Sequence, residues 1–223
     1  SFANLRGANL RGANINLATL IMTNLSLARL IGVELGGADL TGATLSGADF
    51  SESNMLMIKG IGADFVGANL TAVYLRESQL PRANFESAEM HKANLRRCDL
   101  RQANFTGATL THVTLNQSDL REANFAMATL QDALMHGVDL RAGICSAANM
   151  IGAALHGANL TIANFSLTNL CMANLSRACL EGTTLIGANL IGANLHQAQL
   201  TRANFENADL REAILRGADL RGA

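Results

Sequence analysis

The sequence predicts an all-β solenoid, a tube wound from very short extended segments joined by corners. Three observations predict it. Every fifth residue from Leu5 to Leu220 lies in one unbroken register: of the 44 positions at multiples of five, 30 are Leu, 7 Phe, 4 Met and one Ile, so only Gly60 and Cys145 fall outside the large apolar set. The residue two before each of these is Ala, Ser, Thr, Val, Cys or Gly in every unit except at Ile58. Of the 20 glycines, 17 occupy the second residue after the large one. A period of five fits neither the 3.6 of a helix nor the 2.0 of a long strand, but it fits a three-residue extended piece followed by a turn.

The extended piece explains the first two observations. Alternation places the large residue and the small one two before it on the same side, so both point inward. The residue between them, commonly Asn, Asp or Thr, points out. The glycines mark the corner, at the position where a type II turn requires φ > 0. Corners with other residues there, such as Leu17, Glu77 and Arg97, are expected to turn differently.

The coil length follows from the aromatic residues. Phe65, Phe85, Phe105, Phe125, Phe165 and Phe205 are separated by multiples of twenty, and among in-register phenylalanines only Phe50 falls elsewhere. A coil of four five-residue sides stacks the six in one column, interrupted between Phe125 and Phe165 by Cys145. The register then gives about 11 coils and, at about 4.8 Å per coil, a tube roughly 50 Å long.

The triplets Ala-Asn-Leu, Ala-Asp-Leu and Ala-Asn-Phe recur along essentially the whole chain, as in Ala8-Asn9-Leu10, Ala218-Asp219-Leu220 and Ala103-Asn104-Phe105. The pattern resembles the pentapeptide-repeat family, whose motif is commonly written A(D/N)Lxx. The resemblance implies a right-handed quadrilateral β-helix, here one domain over residues 1–223. The chain starts at Ser1 and stops at Ala223, each within a repeat, which suggests a piece of a larger protein.

Bulk composition narrows the function classes. Aromatic content is 4% with no Trp, as a narrow core of Leu and Ala demands. Seventeen Lys and Arg against 18 Asp and Glu give a net charge of −1, which argues against strong attraction to nucleic acid or an anionic membrane. Cys98, Cys145, Cys171 and Cys179 form no CxxC pair or disulfide spacing, so reduced thiols and a cytoplasmic setting are expected. Apolar stretches are broken every few residues, so no membrane span or signal peptide is expected.

Two units break the pattern. In Leu56-Met57-Ile58-Lys59-Gly60 the small position is large and the large position is empty. The plain reading is that Ile58 fills the space Gly60 leaves; the sharper one is a bulge presenting Leu56, Met57 and Lys59 to a partner. Arg141-Ala142-Gly143-Ile144-Cys145 is expected to repack locally.

On a twenty-residue wheel the outward residues form columns. Asp99, Asp119 and Asp139 stand beside Arg101, Arg121 and Arg141, which reads as a solvated ion-pair ladder, the alternative being a phosphate or carboxylate site at the Arg column. His136 and His156 are neighbours in the column of Arg76, Arg96, His196 and Arg216, but position 176 is Ser, so no third metal ligand is evident. A tube without long loops offers no cleft for convergent acid, base and nucleophile, and no catalytic, cofactor-binding or metal site is expected. No Asp, Glu, Lys or Arg occurs from Ala142 to Ser176, and Ile151, Cys171 and Ile191 share one outward column with Met172 alongside. These four are the candidate interaction patch, the plainer reading being a column of scattered surface aliphatics. Leu17, Ile21, Met22, Leu27 and Ile31 are a secondary candidate.

A non-enzymatic rigid scaffold or protein–protein interaction module fits this pattern best, its partner another protein of unspecified identity. Self-association through the apolar patch or the uncapped ends is a further expectation. The family resemblance also implies an alternative, a DNA-mimicking binder of type II topoisomerase conferring quinolone resistance. The balanced charge and the absence of loop insertions disfavour it, and the missing outward Thr ladders disfavour an ice-binding surface.

Overall fold

Residues 3–223 are described by the structure, a computed structural model. Isolated parallel bridges join each outward residue to the one twenty positions later, from Asn4 with Asn24 to Gln199 with Asp219, and none is skipped. Each turn of the chain therefore has four sides of five residues. We call them face 1 (inward residue Phe105 and its column), face 2 (Leu110), face 3 (Leu115) and face 4 (Leu120). Every large inward residue from Leu25 to Leu200 is fully buried, together with the small inward residues between them. Toward the ends Leu5, Leu10, Ile15, Leu20, Phe205, Leu210 and Leu215 pack on this core while partly exposed.

The unit around Phe105 shows why the motif has its form. A side of five residues has five backbone N–H groups, and each needs an acceptor. Phe105 donates to Asn124 O at 2.6 Å and Gly107 to Ala126 O at 3.0 Å, both in the next coil. Thr109 donates back to Ala88 O of the preceding coil at 3.0 Å, and Ala108 closes the corner on Phe105 O at 3.0 Å. The fifth, Thr106 N–H, lies at the corner where no carbonyl reaches it, and the outward Asn104 Oδ1 accepts it at 3.1 Å. Every described outward Asn or Asp makes this bond to the residue two later. A short side-chain acceptor that folds back on its own backbone is what Asn and Asp supply best. Where Leu134 replaces Asn, the His136 N–H turns instead to Asn116 Oδ1 of the preceding coil at 2.8 Å.

The corners correct one expectation. The second corner residue has positive φ at every described corner from Gly7 to Gly222, whether or not it is Gly: Leu17 has φ 58°, Glu77 60° and Arg97 59°. That residue's N–H must point along the tube to close the ladder, as in Leu17 N–H to Gly36 O at 2.9 Å and Arg97 N–H to Asn116 O at 3.0 Å. A left-handed residue costs about 1–2 kcal/mol. Any other turn would forfeit a ladder bond worth about 0.5–1.5 kcal/mol and break register with both neighbouring coils, so the ladder overrides local preference.

Inward hydroxyls obey the same accounting. Ser53, Ser78, Ser118, Thr168 and Thr183 are buried, and each donates to a carbonyl of the preceding coil at 2.6–3.1 Å. Cys98 Sγ does likewise to Leu75 O at 3.0 Å.

The irregular unit at Leu56–Gly60 does not bulge. Lys59 bridges Asp39 on one side and Gln79 on the other, and Gly60 N–H donates to Gln79 O at 2.8 Å. Ile58 is fully buried at its own position. The space above Gly60 is taken by Leu80 of the next coil, whose Cδ2 lies 2.7 Å from where a Cβ at residue 60 would stand, so Leu80 rather than Ile58 is the compensating residue. Gly143 is packed similarly, with Leu140 Cδ1 at 2.7 Å from the corresponding point.

Candidate functional site

With the inward positions committed to the core, only the outward residue and the two corner residues of each side are free to vary. The left-handed corner gives these side chains a common direction, toward the next coil. Leu17, Leu27 and Leu167 lie across Gly37, Gly47 and Gly187, and Met172 across Gly192. An apolar corner residue is therefore laid along the surface by the glycine that follows it twenty positions on.

Ile151, Cys171 and Ile191 occupy the corner between faces 2 and 3 on three successive coils, each partly buried, and Met172 beside them is 66% exposed. These four come together. Across face 2 the row is flanked by the outward Asn149, Asn169 and Asn189, and by Leu167, 69% exposed, on the corner between faces 1 and 2. The secondary group does not converge: Leu17 stands on the corner between faces 3 and 4, Ile21 and Met22 between 4 and 1, Leu27 between 1 and 2, and Ile31 between 2 and 3. Those residues ring the tube. In the irregular unit Met57 and Lys59 are exposed, Leu56 half-buried, and Ile58 and Gly60 buried.

The Asp–Arg columns close into forks. Arg101, Arg121 and Arg141 each grip the Asp two residues earlier with Nε at 2.8 Å and a terminal nitrogen at 2.6–2.7 Å. Arg101 Nε also approaches Asp119, and Arg121 Nε approaches Asp139, both at 3.8 Å. Hydrogen bonds from Arg101 and Arg121 hold Asp99 and Asp119 below the usual carboxylate range, against the opposing effect of partial burial. A depressed native pKa stabilises the fold above the unfolded value near 3.9, and the contribution is lost as pH falls through the native values. Thermal melts should therefore show an acid-dependent loss below about pH 4 that is smaller in the triple variant Arg101→Gln, Arg121→Gln, Arg141→Gln. The difference should be small, because solvent screens exposed pairs. Identical acid profiles would show that the ladder contributes nothing.

Other chemistry is sparse. Among the described residues no group of three or more His, Cys, Asp and Glu is placed to hold a metal ion. His136 and His156 face each other edge-on at 6.4 Å, and His156 Nδ1 contacts Ser176 Oγ at 2.9 Å. Burial pushes the Cys98 thiol up to about 12 and raises Cys145 further, so both stay protonated at neutral pH. Among the described residues no helix is long and apolar enough to cross a membrane.

Known proteins share this build. The family model for pentapeptide repeats matches residues 1–30, 23–55, 148–187 and 188–223, and that for a pentapeptide repeat region matches 61–125. Among solved structures, HetL, a pentapeptide repeat protein involved in heterocyst differentiation regulation from the cyanobacterium Nostoc sp. strain PCC 7120, is 32% identical; the match covers 98% of this chain and 89% of HetL with a TM-score of 0.46. A pentapeptide repeat protein from the Arabidopsis thaliana thylakoid lumen is 33% identical over 43% of this chain and 67% of its own, with a TM-score of 0.42. QnrB1, a plasmid-mediated fluoroquinolone resistance protein, is 20% identical over 99% of this chain and 92% of its own, with a TM-score of 0.44. No curated protein matches the chain.

Proposed function

The chain belongs to the pentapeptide-repeat family, and we propose on that basis that it is a rigid, non-enzymatic scaffold that binds another protein through its outward corners. The observation that carries this reading is the row Ile151, Cys171 and Ile191 with Met172, apolar side chains set on three successive coils of a lattice joined coil to coil by backbone hydrogen bonds. The segment from Ala142 to Ser176 carries no Asp, Glu, Lys or Arg, so the centre of the row brings no charge to desolvate when a partner docks. Asp132 beside Gly152 and Arg211 one coil beyond Ile191 bound the row at its two ends. One domain over residues 1–223, of about 11 coils, is part of the same proposal and is supported by the unbroken bridge register, and a right-handed winding is what membership of the family implies.

The test is a pull-down from native extract with the tube as bait, paired with the variant Ile151→Lys, Ile191→Lys. The expected result is a captured protein that the variant loses while its melting temperature stays unchanged. Capture by the variant equal to wild type would remove this corner as the binding surface.

A further inference from the structure

Net charge near zero hides a segregation of charge at the corner between faces 3 and 4. From Arg96 to Gly217 that corner holds Arg96, Arg97, Arg177 and Arg216, with His136, His156 and His196 between them, and not one carboxylate. The outward residues of face 3 beside it, from Asn94 to Asn194, are uncharged as well. On the other side, Asp99, Asp119 and Asp139 of face 4 are turned away and neutralised by arginines at that face's far edge. A positive strip thus runs six coil steps, roughly 29 Å at 4.8 Å each.

Its geometry suits a ligand. Arg96, Asn116, Gln117, His136 and His156 line a shallow trough, opened where Gly137 and Gly157 carry no side chain. Arg96 Nε is buried in the surface without a hydrogen-bond partner among the described residues. Arg97 and Arg177 are each held by one Nε bond, to Gln117 and Gln197 at 3.0 Å. That bond fixes the guanidinium and leaves its terminal nitrogens without a hydrogen bond among the described residues. The acid nearest along this corner is Glu77, which pairs with Arg76 at 2.8 Å and lies 3.8 Å from Arg97.

We propose that this corner docks an extended acidic segment of a protein partner. The proposal rests on the protein-binding reading above but uses a different corner. Charge density decides against nucleic acid: a duplex carries a charge every ~1.7 Å, far denser than four arginines along the strip. An extended peptide turns every second side chain to one side, about every 6.8 Å, so about four carboxylates meet the row over the same length. Its alternate side chains then face the uncharged outward column of face 3, where Leu134 is 41% exposed.

Fluorescence anisotropy with a labelled peptide of alternating Glu and Ser, about ten residues long so as to span the strip, tests this at low salt. Binding to the wild-type tube should weaken about tenfold or more in Arg96→Gln with Arg177→Gln. It should be unchanged in Arg101→Gln, on the corner between faces 4 and 1, and in an Ile151→Ser, Ile191→Ser variant, which alters the apolar corner without adding charge. No binding, equal loss in Arg101→Gln, or tighter binding of a short DNA duplex than of the peptide would each overturn the proposal. Melting temperatures verify that the variants fold. Because the apolar corner is read by capture and this one by the peptide, failure of either leaves the other standing.

Discussion

Replacing Phe105 by Ala is expected to destabilise the tube by about 3–5 kcal/mol. Phe105 is fully buried and stacked between Phe85 and Phe125, with ring centroids 4.9 and 4.6 Å apart and planes within 6° and 2° of parallel. The rings lie face to face because the coil repeat of about 4.8 Å dictates their spacing, and an aromatic pair adds about 0.5–1.5 kcal/mol to area burial. Truncation therefore removes burial, two stacking contacts and local packing at once. Phe165 supplies an internal control: its column neighbours are Cys145 and Leu185, so it is equally buried but unstacked. Phe165→Ala should fall at the lower end of the same range. Equal urea-unfolding losses at both sites would show that stacking adds nothing, and no loss at Phe105 would contradict its place in the core.

The core is legible in the sequence because the inward positions repeat. Leu100, Phe105 and Ala103 sit where a period of five and a column of twenty put them. The corners are not legible in the same way. Intrinsic φ preference points Leu17, Glu77 and Arg97 toward another turn, whereas their conformation is imposed by carbonyls twenty residues away. The purpose of the outward Asn and Asp is hidden for a related reason. Asn104 is an acceptor for one otherwise orphaned N–H, a requirement visible only once the ladder has used the other four. A signal for it lies in the motif itself, since a merely solvated position would not select Asn and Asp so consistently.

Charge shows the converse problem. A total of −1 describes the composition correctly and the surface poorly. The forked Asp–Arg pairs consume opposite charges in place, while the corner of Arg96 and Arg177 carries no carboxylate from Arg96 to Gly217, its nearest acid being Glu77, which pairs with Arg76. What the tube presents to a partner is set corner by corner. The apolar row at Ile151 and the basic row at Arg96 lie on adjacent corners, flanking face 3.

Restoring the repeat's own large residue at its emptiest position is expected to harm the protein. Judged by the motif, Gly60→Leu repairs the one unit with no side chain at the large position, and it also removes a flexible residue from the unfolded chain. The structure predicts the opposite sign. Leu80 Cδ2 already lies 2.7 Å from the point a Cβ would occupy, and Ile58 fills the same side's small position completely. Inserting a leucine overpacks two coils at once, at about 1–3 kcal/mol. Leu80→Ala alone should cost about 2–5 kcal/mol through its cavity. Combined, the two changes should largely compensate, because the introduced leucine and the vacated Leu80 site share one volume, giving a coupling of about 0.5–3 kcal/mol. Denaturant unfolding of the four proteins in this cycle decides the matter. Strict additivity would mean that Leu80 does not occupy the space above Gly60, and a stabilised Gly60→Leu single variant would show that the motif, rather than the repacked coil, governs this position.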